Sequence, residues 1–191
     1  MHRTAQLALA LLAGAGATAQ AEPVTYKLDP THTWTTWEAR HFGTSTFRGR
    51  FDRKEGTVTI DRAARTGRVE LTIDLTSVDT GADHLNHRLQ ESDFFDTGNF
   101  PTATFVGQDF RFDGDDVSQV TGQLTLKGKT RPVTLKATGF NCYQNPLVKR
   151  EVCGGDFSAT IDRTAWGVSA YAPFPVGGDV RLSIEVEAIR Q

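Results

Sequence analysis

The sequence predicts an all-β protein: one extended antiparallel barrel of eight strands, with a single short helix inserted near residues 81–90. Three observations carry this. From Val24 onward the chain falls into short runs in which apolar and polar residues alternate, so side chains two apart share a face. Turn residues such as Asp29-Pro30, Gly43, Asp113-Gly114 and Gly128-Lys129 separate the runs at hairpin spacing. One stretch only, residues 77–105, departs from this pattern and reads as a helix followed by a bulky apolar plug. Closing eight hairpin-linked strands on themselves removes the exposed edges and leaves the plug at the barrel mouth.

In chain order, residues 24–28 form a short first strand ended by Asp29-Pro30. Residues 32–42 form the second. Thr33, Thr35, Trp37, Ala39 and His41 share the inward face because the opposite set, Trp34, Thr36, Glu38 and Arg40, carries the charges. Residues 47–53 and 56–61 read as a hairpin about Lys54-Glu55, with Phe51, Val58 and Ile60 inward. Residues 68–75 are the clearest wall strand: Val69, Leu71, Ile73 and Leu75 alternate with Arg68, Glu70, Thr72 and Asp74.

Thr80 and Asp83 have the spacing of a capping box and start a helix over residues 81–90. Leu85 and Leu89, one turn apart, give it an apolar stripe, while His84 and His87 fall on the other side. Phe94 and Phe95 follow, then Phe100-Pro101. Adjacent rings would point to opposite faces of a strand, so this is a lid or plug. Strand 102–112 turns Ala103 and Phe105 inward, and 113–116 is a polar turn. Residues 117–127 and 130–140 pair about Gly128-Lys129, with Leu124, Leu126, Val133 and Leu135 as the apolar face. Strand 156–162 brings Phe157, Ala159 and Ile161 inward, and strand 179–189 closes the chain with Val180, Leu182, Ile184 and Val186.

Residues 1–21 read as a cleaved signal peptide: Arg3, an uncharged Ala/Leu run, then Ala19-Gln20-Ala21. The run is too short to span a bilayer, and no later segment has the ~18 apolar residues a span needs, so stable membrane insertion is not expected. The remaining chain, 22–191, shows no linker, repeat or charge block and reads as one domain. It holds 20 Lys+Arg against 23 Asp+Glu, which gives no electrostatic reason to bind nucleic acid. Cys142 and Cys153 are the only cysteines, and an even pair in an exported chain is read as a disulfide. It would bridge a loop near its base, worth roughly 3 kcal/mol of loop closure.

No metal or catalytic constellation stands out. His84 and His87 at i, i+3 lack a third ligand, and HExxH, CxxC and GxSxG are all missing. His41 and Asp162 are the remaining candidates for an enzyme acting on an amphiphile, but Asp162 beside Arg163 reads more simply as a turn contact or exposed ion pair. No cofactor is expected and the chain is read as a non-enzyme. From the residues alone, a barrel of this size can be filled by its own side chains, leaving an outer surface to bind a partner protein, or can hold one ligand.

Several motifs resemble those of one family in order along the chain: DPTHT (29–33), HFGTS (41–45), SVDTG (77–81), the run ending in DFF (89–95), FPTATF (100–105), GQLTLKGKTRPVTL (122–135) and DRTAWG (162–167). The chain is similar over nearly all of residues 22–191 to the YceI-like family of periplasmic polyisoprenoid-binding proteins. It departs where the family usually carries a histidine before the helix leucine: here Arg88 precedes Leu89, and His87 sits one place early. The resemblance implies a lipocalin-like barrel with an apolar pore, a periplasmic location and a long-chain isoprenoid lipid, free or quinone-headed, as ligand for carriage or storage. The expected ligand-binding set is Trp37, Phe51, Leu71, Ile73, Leu85, Leu89, Phe94, Phe95, Phe105, Leu124, Leu126, Phe157, Ile161, Trp166, Leu182 and Ile184. A tail of roughly 40 carbons at about 0.3 kcal/mol per heavy atom reaches ~12 kcal/mol, near nanomolar. A homodimer is compatible with these residues but not implied by them.

Overall fold

The computed structural model describes residues 22–174 and 176–191; the signal segment read over 1–21 lies outside them. Eleven strand segments make one antiparallel sheet: β1 (Val24–Leu28), β2 (Trp34–His41), β3 (Ser45–Phe51), β4 (Lys54–Asp61), β5 (Thr66–Asp74), β6 (Val78–Asp79), β7 (Thr102–Asp113), β8 (Asp116–Leu126), β9 (Lys129–Asn145), β10 (Arg150–Asp162) and β11 (Val176–Arg190). Helix α1 spans Asp83–Leu89.

The register resolves the eleven segments into eight staves. β11 pairs through Ala188 and Arg190 with β1, and through Val180 to Glu185 with β2, so β1 and β2 lie end to end on one neighbour. β4 pairs with β1 while β3 pairs with β2, and β5 pairs with β4 while β6 pairs with β3. Each of these couples is one broken stave. The remaining five are continuous, and the β1–β11 ladder closes the circle. The result is the expected eight-stranded up-and-down barrel with one short helix.

Each break has an identifiable cause. Between β1 and β2, Asp29 Oδ1 accepts from the Thr31 N–H (2.9 Å) and hydroxyl (2.6 Å), and Oδ2 lies 2.8 Å from His32 Nδ1. Between β3 and β4, Ser77 captures two N–H groups: Asp52 donates to its carbonyl (3.1 Å) and Arg53 to its hydroxyl (2.9 Å). Between β5 and β6, Asp74 accepts from the Thr76 N–H at the head of a 3-10 turn, Leu75–Ser77, which buries Leu75. The predicted hairpin about Lys54-Glu55 is therefore corrected. The chain bends there but does not reverse. Lys54 starts the next strand with its Nζ 4.0 Å above the Trp34 ring.

The Asp29 break is acid-sensitive. Burial alone would push its carboxyl up; the Thr31 and His32 hydrogen bonds outweigh this and hold it at about 2. A depressed carboxylate contributes stability that is complete above the unfolded-state value near ~4 and is lost as pH falls through its folded value. Asp29→Asn is expected to be less stable than wild type at neutral pH, with the difference closing below pH 3, roughly midway between those values. Urea titrations of both proteins across the acid limb check this.

Two further differences concern local reading. Thr80 does not cap the helix: its hydroxyl and N–H both donate to Asn86 Oδ1 (2.7 and 2.8 Å), and Ala82 takes the N-cap position without a side-chain bond. The cysteines do not staple a loop base. Cys142 and Cys153 are directly opposed on β9 and β10, which run on for three more residues before turning, and their sulfurs form the disulfide.

One gap matters for function. β7 pairs with β5 only as far as Asp74, opposite Thr102, and β6 pairs only with β3 among the described strands. Above that level the wall between β6 and β7 is missing. Helix α1 and residues 90–101 fill it, held by the Leu75 N–H donating to the Pro101 carbonyl at 2.8 Å. No helix among the described residues is long and apolar enough to cross a membrane.

Candidate functional site: a lidded apolar chamber

Two cavities are stacked inside the barrel. The upper has a volume of about 400 Å³ and the lower about 90 Å³. The inner face of β2 lines the upper cavity with Thr35, Trp37, Ala39 and His41, and Thr33, just before the strand begins, lines the lower. On β11, Ala188, Val186 and Ile184 line the lower cavity and Leu182 and Val180 the upper. Period-two alternation on long staves thus produces an apolar column along the barrel.

Glycine makes room for rings in this column. A β-carbon on Gly49 would collide with the Trp37 indole, which lies flat on the glycine backbone. A β-carbon on Gly122, on the neighbouring strand, would lie 2.6 Å from Phe105 Cζ, so the Phe105 ring packs over that position only because it is bare.

Eleven of the sequence-predicted residues border the upper chamber: Trp37, Phe51, Ile73, Leu85, Leu89, Phe94, Phe95, Leu124, Leu126, Ile161 and Leu182. Leu71, Phe105, Phe157 and Ile184 border the lower one. Trp166 borders neither. It ends the 3-10 turn Arg163–Trp166, is buried, and donates from Nε1 to the Leu124 carbonyl at 3.0 Å, so it braces the wall instead of facing the interior. Sequence reading placed Leu75 on the apolar face of strand 68–75 without including it in the ligand set, and missed Val168, Ala170, Tyr171, Arg88 and Arg163 as lining residues. The loop residues carry no periodic signal.

The mouth is covered by two segments tied to each other. Arg88, on the last turn of α1, donates to both oxygens of Asp93 (2.6 and 2.7 Å) and to Glu91 (2.9 Å), with its guanidinium over the Phe94 ring at 4.7 Å. The hydrogen bonds to Asp93 raise the Arg88 pKa further, and Arg88 in turn holds the Asp93 carboxyl below its usual range. The Asp93 carbonyl accepts from the N–H groups of Ser169 and Ala170, which joins the helix segment to the 167–174 loop. Arg163 anchors that loop from inside. Nη1 donates to the Val168 carbonyl and Nη2 to the Ala170 carbonyl, both at 2.8 Å, with longer bonds to Val176 and Gly177 at 3.2 Å.

The other candidates for chemistry are dispersed. Asp162 accepts from the Thr164 N–H (2.9 Å) and hydroxyl (2.6 Å), so it is a turn contact and not an ion pair with Arg163. His84 and His87 are exposed on α1, and His41 stacks on Phe47 with centroids 4.3 Å apart. Cys142, Glu151 and Cys153 lie close together, but both sulfurs are spent in the disulfide.

Two buried polar atoms beside the chamber have no hydrogen-bond partner among the described residues, Thr35 Oγ1 and Trp37 Nε1. An unmet buried hydroxyl costs about 1–3 kcal/mol, and replacing it by a methyl of the same shape removes the cost. Thr35→Val is expected to raise the stability of the lipid-free protein by about 1 kcal/mol, read as an upward shift of its urea midpoint.

A closed barrel around a covered apolar chamber defines a class of proteins whose interior suits a hydrophobic ligand. The chain belongs to the YceI-like family: the YceI-like domain matches residues 26–188. It is 34% identical over 187 residues to a UPF0312 protein of Pseudomonas paraeruginosa, with 96% of each chain covered. It is 37% identical over 169 residues to Protein YceI of Escherichia coli, with 87% of each covered. The crystal structure of BcnA from Burkholderia cenocepacia superposes with a TM-score of 0.71 at 26% identity, over 84% of this chain and 99% of that one. A polyisoprenoid binding domain from Saccharophagus degradans, implicated in plant cell wall breakdown, shares the fold at a TM-score of 0.59 and 17% identity, over 87% and 98% of the two chains.

Proposed function

We propose that this protein is an exported periplasmic carrier or store for a long-chain isoprenoid lipid, free or quinone-headed, held in the stacked chambers without chemical change. The observation that carries this is the column itself. Apolar side chains line both chambers along the barrel, and the charged groups that border it, Arg88 and Arg163, are engaged at the lid. A long hydrocarbon tail gains from every methylene removed from water, by up to ~0.8 kcal/mol each, and demands a channel without unpaired charge. The polyisoprenoid binding domain that shares the fold supports the tail chemistry. The signal-like residues 1–21 support export.

The test is mass spectrometry of an organic extract from protein purified without detergent from its native exporting host. A stoichiometric isoprenoid is the expected result and identifies head and tail together. A stoichiometric lipid of another kind would replace the substrate class. An extract that stays empty, also after incubation with isoprenoids, would overturn the carrier reading.

A further inference from the structure

The large apolar side chains left exposed on this barrel are gathered at its two ends. Tyr143, Leu147 and Val148 sit at the β9–β10 hairpin tip. At the opposite end, Phe42 (51% exposed), Phe47 (37%), Tyr171 (54%) and Phe174 (75%) surround the mouth of the upper chamber. Phe42, Phe47 and Tyr171 also line the chamber, and Phe174 packs edge-on against Phe42 with centroids 5.4 Å apart. The apolar interior and this exposed rim are one continuous surface.

Two features make the rim more than accidental exposure. Phe42 and Tyr171, on separate loops, both adopt positive φ, +50° and +58°. That region disfavours a bulky side chain, and here it holds a ring at the rim on both sides of the mouth. The charge is also sorted. Residues 39–51 and 163–178, which carry all four rings, contain Arg40, His41, Arg48, Arg50 and Arg163 and no Asp or Glu, although acids outnumber bases in the chain. Arg48 pairs with Glu38, and Arg50 with Asp52 and Asp79. Arg40 folds over the turn beside Phe42, donating to the Gly43 carbonyl and to Thr46, and has no carboxylate partner among the described residues. Glu91 and Asp93, on the helix side of the mouth, are engaged by Arg88, and Asp162, at the edge of the 163–178 segment, accepts from the Thr164 N–H and hydroxyl.

We propose that this rim is a docking surface for an anionic phospholipid bilayer, with the four rings entering the headgroup boundary and Arg40 set against lipid phosphates. The inference rests on the carrier reading, because a tail that leaves a membrane for the chamber passes this rim. Aromatic rings suit the boundary between water and acyl chains, and a basic lip is drawn to an anionic leaflet. A second copy is the poorer occupant: a two-fold contact through this rim would join two identical lips whose residues 39–51 and 163–178 carry no Asp or Glu to meet the basic groups of the other.

The experiment is co-sedimentation of the mature protein with phosphatidylcholine vesicles, with and without phosphatidylglycerol. It compares wild type, Phe42→Asn/Phe174→Ser and Arg40→Gln. Asparagine tolerates positive φ and both phenylalanines are exposed, so the double variant keeps its fold; circular dichroism checks this. Wild type is expected to bind, more tightly to the anionic vesicles. The double variant is expected to lose about tenfold or more in affinity on both. Arg40→Gln is expected to lose only the preference for phosphatidylglycerol. Wild type that ignores both vesicles, or a double variant that binds as wild type does, would overturn the proposal. So would a dimer in analytical ultracentrifugation that the double variant splits without vesicle binding by wild type. The carrier reading is judged separately, by the extract of the wild-type protein: an empty extract with intact vesicle docking sinks the cargo and leaves the surface.

Discussion

Arg163→Met is expected to be the most damaging single substitution in the lid, with a loss of roughly 3–5 kcal/mol in unfolding free energy and of most retained lipid. Arg163 is 6% exposed, and the partners of its guanidinium are the four backbone carbonyls of Val168, Ala170, Val176 and Gly177. Burial lowers its pKa, with the nearby Asp162 charge opposing that shift, yet an arginine starts so high that it stays charged. Four converging carbonyl dipoles therefore take the place of a counter-ion. Methionine fills a similar volume but leaves those carbonyls unpaired beside the apolar chamber, and the loop that carries Val168, Ala170 and Tyr171 loses its anchor. Arg163→Lys is expected to recover only part of the loss, because one ammonium cannot supply a planar fork to several diverging acceptors. Urea midpoints of the three proteins, with the lipid content of each, measure both effects. A methionine variant that unfolds at the wild-type midpoint would remove the clamp from this account.

The walls of this barrel were readable because period-two alternation depends on one variable, the face each side chain occupies. On β5 and β11 that pattern predicts which residues border the chambers, Leu71 and Ile73 on one stave and Leu182 and Ile184 on the other. The breaks in the staves were not readable in the same way. Lys54-Glu55 has the polarity of a turn, and nothing local reveals that Ser77, at the break of the neighbouring stave, supplies the two acceptors that turn a reversal into a bend. Thr80 satisfies the capping-box spacing, but Asn86 offers its hydroxyl a closer partner. Arg163 is the sharpest case. An Asp-Arg dipeptide reads as solvated charge, and only the folded loop shows four carbonyls meeting around a buried guanidinium. Contacts of this kind join irregular segments far apart in sequence, where no periodicity exists to be read.

Leu124→Glu is the prediction that separates the chamber's chemistry from the barrel's integrity. Leu124 borders the upper chamber beside Leu126 and Ile161. Leu124 is partly buried, so a glutamate there is partly desolvated and its carboxyl is raised above the usual range, by less than the roughly 3–5 units of a fully buried group. The variant is then a switch. Below its shifted pKa the side chain is neutral and the tail still packs against it, with a modest loss from the imperfect fit. Above it, a carboxylate faces hydrocarbon, and lipid must leave or water must enter. Because the folded state binds the proton more tightly than the unfolded chain, the variant's stability relative to wild type also falls as pH rises above the unfolded value near ~4.3. Lipid extracted after equilibration at pH ~5 is expected to approach the wild-type amount, and at pH ~9 to fall by more than about tenfold. Wild type, which has no carboxylate at this position, is expected to hold its lipid at both. Circular dichroism at both values shows whether the barrel is intact. Equal loss at both pH values with an unfolded spectrum would mean that the substitution breaks the wall and says nothing of the ligand. Full retention at high pH by a folded variant would place the tail somewhere other than this chamber.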